Sequence, residues 1–232
     1  MIAFTADAVV LDIEGTTGSA AHVRQVLFPY ARQRIAGWFA AHRDTPLHGE
    51  LVLATGASDE AGAVRALTRW ADADAKVAPL KAVQARIWAE GYADGSLAGH
   101  VYGDVPGALA AWAEAGIGRY VYSSGARAAQ RDWFATTGYG DLTRHLDGYF
   151  DLENTGPKND PDSYCRIGRT LGVPAGRTLF LSDAPAELAA AAAAGWQTVR
   201  VQRPEDPAPE DLAEHDPHPT VQTLTEIQVV RA

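Results

Sequence analysis

The sequence is poor in cysteine, in basic residues and in long apolar runs. Cys165 is the single cysteine among 232 residues, so no disulfide can form within the chain and thiolate-rich zinc sites are excluded. This scarcity of thiols favours a reducing compartment. No stretch approaches the roughly 18 apolar residues of a membrane span, and residues 1–8 lack the basic head and apolar run of a secretion signal. We therefore expect a cytoplasmic protein without a membrane partner.

Acidic residues outnumber basic ones. There are 29 Asp and Glu residues against 20 Lys and Arg, which gives a net charge of −9. This balance disfavours binding to nucleic acid or to anionic membranes, so we expect neither partner. A small anionic substrate would then need a metal ion or well-placed cations. With 47% hydrophobic residues, the chain can form one sizeable core and a smaller companion domain. We also expect the protein to be a monomer.

Short apolar runs alternate with helical stretches along the chain. This alternation is typical of an α/β protein with a Rossmann-like, doubly wound parallel sheet that helices cover on both faces. Strands are predicted at residues 8–11, 120–122, 178–181 and 198–201. The acidic, proline-rich residues 203–219 predict a surface loop, which precedes a last short element.

A long segment separates the first two predicted strands. Residues 19–103 offer no convincing strand, are too long for a loop, and carry apolar side chains such as Leu80, Val83 and Ile87 at helical spacing. We expect a helical cap domain at 19–103, inserted into a core domain made of residues 1–18 and 104–232. Such a cap would close over the strand ends and exclude water.

Two carboxylates follow the first predicted strand directly. If the backbone turns sharply at Gly15, Asp12 can attack a phosphorus atom while Glu14 protonates the leaving oxygen and later activates water. An isolated D-x-E pattern is short and common, and on its own it favours a solvated acidic turn. The ends of the other strands change this balance.

Hydroxyl groups and a lysine follow the first two carboxylates in the chain. Ser123 and Ser124 end the second strand, where hydroxyl and backbone N–H groups can bind phosphate oxygens at a helix N-terminus. Lys158 precedes the helix that Asp160 and Pro161 open, and it can neutralise a phosphoryl oxygen and pair with Asp12. Taken singly, these residues could equally be a helix cap and a solvated lysine.

Another pair of carboxylates closes the third predicted strand. Asp183 can bind Mg²⁺ directly, and Glu187 can orient the ion or its water, although a plain helix cap is the simpler alternative. The carboxyl ends of strands in a doubly wound sheet open onto one crevice, so the separate clusters should meet there. Each pair of like charges would repel by roughly 4 kcal/mol at about 4 Å and an effective dielectric near 20. Mg²⁺ and Lys158 would offset this repulsion, so the sequence predicts a magnesium-dependent phosphohydrolase with Mg²⁺ as cofactor.

The order of these clusters resembles the haloacid dehalogenase superfamily, and several segments resemble one of its families, the enolase-phosphatases or acireductone synthases. The resemblance runs from about residue 8 to 203, with departures from the expected pattern at His22, Ala85 and Arg86. The similar segments are D-I-E-G-T-T (12–17), L-F-P-Y-A-R (27–32), I-W-A-E-G-Y (87–92), H-V-Y-G-D-V (100–105), Y-V-Y-S-S-G (120–125), Y-F-D (149–151) and L-F-L-S-D (179–183).

The resemblance implies a haloacid dehalogenase-like core and a two-step reaction of methionine salvage. The substrate, 2,3-diketo-5-methylthiopentyl-1-phosphate, is enolised and then dephosphorylated to 1,2-dihydroxy-3-keto-5-methylthiopentene. The implied roles are catalysis by Asp12, Glu14 and Lys158, phosphate binding by Ser123, Ser124 and Lys158, and Mg²⁺ binding by Asp12, Asp183 and Glu14, the last through its side chain or its backbone carbonyl.

Other functions fit the same residues. A general small-molecule phosphatase of this superfamily would act on a sugar or glycolate phosphate without an enolisation step. A non-catalytic phosphate-binding protein would keep the fold but does not need the complete set of clusters. A dehalogenase does not need the acid that Glu14 supplies.

Overall fold

A computed structural model describes residues 1–206 and 217–231 of the chain. The strands are β1 (Ile2–Thr5), β2 (Ala8–Leu11), β3 (Gly118–Tyr122), β4 (Gly148–Phe150), β5 (Thr178–Ser182), β6 (Gln197–Val201), β7 (Thr220–Val221) and β8 (Ile227–Val230). The α-helices are α1 (Ala20–His22), α2 (Phe28–Ala41), α3 (Pro46–Ala54), α4 (Glu60–Asp72), α5 (Ala78–Ala93), α6 (Val105–Glu114), α7 (Arg127–Ala135), α8 (Pro161–Leu171) and α9 (Pro185–Ala193). A π-helical segment lies at Val23–Leu27, and 3-10 turns lie at Thr143–His145, Ala175–Arg177 and Leu224–Glu226.

The described residues form one six-stranded parallel sheet in the order β4-β3-β2-β5-β6-β7, and β1 pairs with β8 in a separate two-stranded sheet. Every residue of β2 and β5 is buried, as expected for central strands of a sheet that is covered on both faces. The chain continues from β2 to β3 on one side and later to β5 on the other. The strand order therefore changes direction at β2, where ligands bind in doubly wound sheets.

The predicted α/β fold is confirmed, but the prediction of four strands was incomplete. The sheet also contains β4 and β7, and β1 lies outside it, paired with β8. These three strands are two to four residues long and partly exposed, so they carry little of the apolar signal that marks a buried strand.

The register of the central strands aligns the residues that follow them. Leu11 pairs with Val121 on one side and with Leu181 on the other. Because parallel strands end at a common edge, Asp12, Ser123 and Asp183 lie just beyond that edge on three neighbouring strands.

Helices α8 and α9 supply much of the core on one face of the sheet. The side chain of Asp160 accepts a hydrogen bond from Asp162 N and begins α8, and Gly172, with φ of +67°, ends it. The alanine-rich α9 buries Leu188 and two small alanines, which lets the helix approach the sheet closely. The core cluster consists of Val10, Tyr122, Phe150, Tyr164, Ile167, Phe180, Leu188, Ala190, Ala191 and Trp196.

The chain divides into two compact units, Met1–Ala20 with Ala98–Ala232, and Ala21–Leu97. The second unit is helical and has its own apolar core, centred on Ile35, Leu67 and Ile87. Residues 98–103, which the sequence assigned to the cap, group with the first unit, where Tyr102 N donates to Thr17 O at 3.0 Å. The action of the second unit as a cap stays a prediction.

The predicted surface loop at 203–219 is wrong at its first residue. Arg203 is buried, because its guanidinium forms an ion pair with Asp104. Residues 207–216 of this predicted loop lie outside the described residues. Among the described helices, none combines the length and the apolar character needed to cross a membrane.

Candidate active site

Asp12 stands at the end of the central strand β2 and is only 5% exposed. Its amide donates to Leu181 O at 3.0 Å, which continues the pairing of β2 with β5 by one residue. Its carbonyl accepts a hydrogen bond from Thr17 Oγ1 at 2.7 Å. Hydrogen bonds thus fix the backbone of Asp12 through both its amide and its carbonyl. A fixed backbone gives the carboxylate the defined direction that a nucleophile needs.

A tight turn follows Asp12 and carries Glu14. The carbonyl of Ile13 accepts hydrogen bonds from the amides of Thr16, Thr17 and Gly18. Gly15 has φ of +74°, a conformation that side chains with a Cβ rarely adopt. The roles that the sequence suggested for Asp12 and Glu14 required a sharp turn at Gly15, and the structure has one there. Glu14 itself is exposed and bridges to Gly18 through the backbone.

Lys158 is buried between two carboxylates. Its ammonium lies 2.5 Å from Asp12 Oδ1 and 2.6 Å from Glu187 Oε2, and the residue is only 9% exposed. Burial opposes the charged form, but the charges of Asp12 and Glu187 together raise the pKa of Lys158 above its ordinary value. The lysine is therefore a permanent cation beside Asp12, in the contact that the sequence predicted.

Two aromatic residues hold the backbone around Lys158. Tyr164 donates its hydroxyl to the carbonyl of Lys158 at 2.7 Å, and Tyr122 donates to the carbonyl of Gly156 at 2.8 Å. The ring of Tyr122 also lies 5.7 Å from the ammonium, within cation–π range. These contacts fix the loop before α8, so the position of Lys158 does not depend on its ion pairs alone.

Asp183 directly follows β5, and Glu187 lies in the first turn of α9. Burial raises the pKa of the Asp183 carboxyl well above its usual range, and the negative charges of Asp12 and Glu187 raise it further. Burial and the charge of Asp12 raise the pKa of Glu187 in the same way, against the opposing effect of Lys158. Ser182 Oγ donates to Glu187 at 2.9 Å. The negative charge of Asp12 therefore acts on both Asp183 and Glu187.

The charges of this cluster favour a divalent cation. Three carboxylates, those of Asp12, Asp183 and Glu187, face one ammonium, which leaves an excess of negative charge in a buried place. Carboxylate oxygens are the ligands that Mg²⁺ prefers. In the described parts of the chain, no group of three or more His, Cys, Asp or Glu side chains is arranged to hold a metal by itself. The carboxylates of Asp12 and Asp183 would therefore need oxygen atoms from the backbone, water or substrate to complete the coordination of such an ion.

The candidate phosphate-binding turn follows β3. Ser123 N donates to Phe150 O at 3.2 Å, and Ser123 Oγ accepts from Gly125 N at 3.3 Å, while Ser124 is exposed. The side chain of Gln130 donates to Gly125 O and to Phe150 O, at 2.7 and 2.8 Å. The turn is therefore rigidly attached to the sheet edge, one strand away from Asp12.

The structure brings Asp12, Lys158 and Asp183 into one charged cluster and places Ser123 and Ser124 at the same edge of the sheet. It also reveals contacts that sequence reasoning missed. The ion pair of Glu187 with Lys158 was not predicted, although the spacing of Glu187 from Asp183 on one helix turn pointed to a shared site. Nothing in the sequence pointed to the roles of Tyr164 and Gln130, because both act through long-range contacts.

We expect Gly15→Ala to weaken Mg²⁺ binding. A Cβ at Gly15 would clash with Asp183 Oδ2, so the carboxylate must move. The control is Gly172→Ala, which also has a positive φ but nothing within 4 Å of its Cβ. Both variants should lose about 1 kcal/mol of stability from the left-handed backbone. Calorimetric Mg²⁺ titration should show weaker binding in the first variant only, and equal affinities would contradict the contact.

The chain is similar to known proteins in both sequence and fold. Residues 6–195 match the model of the haloacid dehalogenase-like hydrolases. The chain is 49% identical to "Enolase-phosphatase E1" of Frankia alni, over 97% of this chain and 96% of that protein, and 46% identical to the Streptomyces avermitilis protein of the same name, over 88% of each. The crystal structure of the UTR4 protein from Saccharomyces cerevisiae superposes with a TM-score of 0.79 at 29% identity, covering 94% of this chain and 98% of that one. The chain therefore belongs to the haloacid dehalogenase-like hydrolases and, within them, to the enolase-phosphatase E1 family.

Proposed function

We propose that this protein is a magnesium-dependent enolase-phosphatase that acts on 2,3-diketo-5-methylthiopentyl-1-phosphate in methionine salvage. The observation that carries the proposal is the buried contact of Lys158 with Asp12, beside the carboxyl group of Asp183 at the switch point of the sheet. A nucleophile, a fixed cation and a second carboxylate at this place suit phosphoryl transfer. Membership of the enolase-phosphatase E1 family supports the particular substrate.

The carboxylates of Asp12 and Asp183 would hold Mg²⁺, together with the backbone carbonyl of Glu14. When bound, the ion would neutralise charge on the phosphoryl oxygens and polarise the diketone, which favours both steps of the reaction. Calcium-type sites need six to eight oxygen ligands, whereas Mg²⁺ keeps several waters and needs few protein ligands. The small protein donor set therefore fits Mg²⁺ better.

Phosphoryl transfer would proceed in two displacements. A carboxylate oxygen of Asp12 forms a bond to phosphorus as the bond from phosphorus to the substrate oxygen breaks, and Glu14 gives a proton to that oxygen. Glu14 then removes a proton from water, which attacks phosphorus and releases Asp12. Lys158 offsets charge on the phosphoryl oxygens, and Ser123 and Ser124 hold them through hydroxyl and amide groups.

Purified protein with the diketone phosphate and Mg²⁺ tests the proposal directly. Enol absorbance and free phosphate are recorded together, and both should rise, with the enol first. Phosphate release without an enol signal, or faster release from glycolate phosphate or a sugar phosphate, would favour a general phosphatase instead. Binding of the phosphate ester without turnover would favour a phosphate-binding protein.

A cytoplasmic location and a monomeric state remain predictions.

Glu14→Gln should slow phosphate release by roughly 10²- to 10⁴-fold, the range that general acid–base catalysis contributes. An amide keeps the shape of the side chain but cannot give or take the proton. Because the side chain of Glu14 is exposed and the substitution leaves the backbone of the turn unchanged, the stability of the fold should change little. Glu114→Gln makes the same chemical change at another exposed position and should behave like wild type. Near-normal release by the Glu14 variant would mean that another group is the acid.

A further inference from the structure

Arg203 follows β6 and is almost completely buried, with only 2% of its surface exposed. Its Nε donates to the carbonyl of Thr16 at 2.9 Å. Its Nη1 lies 3.0 and 2.8 Å from the two carboxylate oxygens of Asp104 and also donates to Gln222 O. The guanidinium stacks on the ring of Tyr102 at 4.3 Å. One side chain thus connects the turn after Asp12, which carries Glu14, to the start of α6 and to the chain before β8.

Stability alone does not account for this arrangement. A buried ion pair is often no better for stability than apolar side chains of the same volume. Here Nη2 of Arg203 is also buried and has no hydrogen-bond partner in the described parts of the chain, which adds to the cost of burying the guanidinium. Apolar residues could not replace the hydrogen bonds from Arg203 to the backbone carbonyls of Thr16 and Gln222, and the first of these two holds the turn that carries Glu14.

Thr16 belongs to the turn that carries Glu14. The amide of Thr16 donates to Ile13 O, and because Thr16 is fully buried its carbonyl needs a donor from the protein. Arg203 supplies that donor, and Tyr102 N does the same for the neighbouring carbonyl of Thr17 at 3.0 Å. Asp12 N, which donates to Leu181 O, holds the other end of the turn, so the backbone that carries the exposed Glu14 is held at both ends.

We propose that Arg203 is a positioning residue that fixes the Glu14 turn for proton transfer to the leaving oxygen. This inference rests on the proposed phosphatase function. It assigns a part in that function to a residue outside the charged cluster of Asp12, Lys158, Asp183 and Glu187. Loss of the Thr16 contact lets the turn move, and the proton donor then spends less time in line with the oxygen that leaves phosphorus.

A double-mutant cycle tests the proposal, with phosphate release from the diketone phosphate as the measurement. Arg203→Lys keeps the buried charge, but one ammonium cannot reproduce the separate contacts of Nε and Nη1. We expect kcat to fall by about tenfold or more with KM near the wild-type value. In the Glu14→Gln background the same substitution should have almost no further effect, because the step that it disturbs is already lost.

Asp104→Asn is the matched control, since its amide oxygen can still accept from Arg203 while the ion pair is lost. It should change the thermal midpoint without the tenfold loss in kcat. If Arg203→Lys does not fold, Arg203→Met combined with Asp104→Leu replaces the pair by apolar side chains and enters the same cycle. Equal losses from the Arg203 change in both backgrounds would assign it a structural role only and overturn the inference. No phosphate release by the wild-type protein would overturn the proposed function, and this inference with it.

Discussion

Asp12→Asn is expected to abolish phosphate release, with a loss of roughly 10⁴-fold or more, the scale on which removal of a covalent nucleophile acts. The amide oxygen of asparagine is a poor nucleophile towards phosphorus, and the amide is a weak ligand for Mg²⁺. The fold should persist, because the backbone contacts of residue 12 with Leu181 and Thr17 do not involve the carboxylate. Phosphate release and the thermal midpoint are measured on the same preparation.

The matched control for this variant is Asp162→Asn, which makes the same chemical change at an exposed carboxylate in the first turn of α8. It should keep wild-type activity. A variant of Asp12 that is folded, binds Mg²⁺ and still turns over would remove this residue from the role of nucleophile. Loss of the thermal transition in that variant would instead show that the carboxylate is needed for folding.

Lys158→Met is expected to reduce both activity and stability. Phosphate release should fall by about 10²- to 10³-fold, the usual loss when a group that stabilises charge in the transition state is removed. The folded protein should lose about 3–5 kcal/mol, because Asp12 and Glu187 would be left as buried charges without their partner. Mg²⁺ should restore part of that stability, since it would replace the missing positive charge. Urea unfolding with and without Mg²⁺ measures both effects.

The control is Lys81→Met at an exposed position of α5, which should change neither quantity. Glu187→Gln helps to separate the contribution of the charged cluster to activity from its contribution to stability. It removes one of the two partners of Lys158 but leaves the pair with Asp12, so its effect on activity should be smaller than that of Lys158→Met. Unchanged stability of the Lys158 variant without Mg²⁺ would contradict a buried ion pair at this position.

The buried central strands were predicted well, and the partly exposed outer strands were not. The predicted strand at 8–11 has the same bounds as β2, and β3, β5 and β6 extend the other predictions by one or two residues. A run of buried apolar residues is a strong local signal, because a central strand must be apolar on both faces. In contrast, β4 and β7 become strands by pairing with β3 and β6, and such pairing leaves little trace in two or three residues.

In the candidate site, too, local features were predicted from the sequence and long-range contacts were not. The sequence alone placed Asp12, Asp183 and Ser123 at strand ends, because the composition of a strand and the polar residue after it are local features. The structure added Glu187 as a second partner of Lys158, and Arg203 as an anchor of the Glu14 turn. Neither partner is close to its target in sequence, and both are common residue types without a distinguishing pattern.

By itself, the sequence determined the α/β class, the strand-end carboxylates and the negative charge that calls for a cation, because each of these depends on residue types at short spacing. Only the tertiary structure decided which charges meet. Lys158 lies between Asp12 and Glu187, and Arg203 is buried against Thr16 and Asp104, because the parallel register and the packing of the helices bring distant segments together. The strength of a charge interaction depends on the distance between the charges and on their burial, and neither quantity can be read from the sequence.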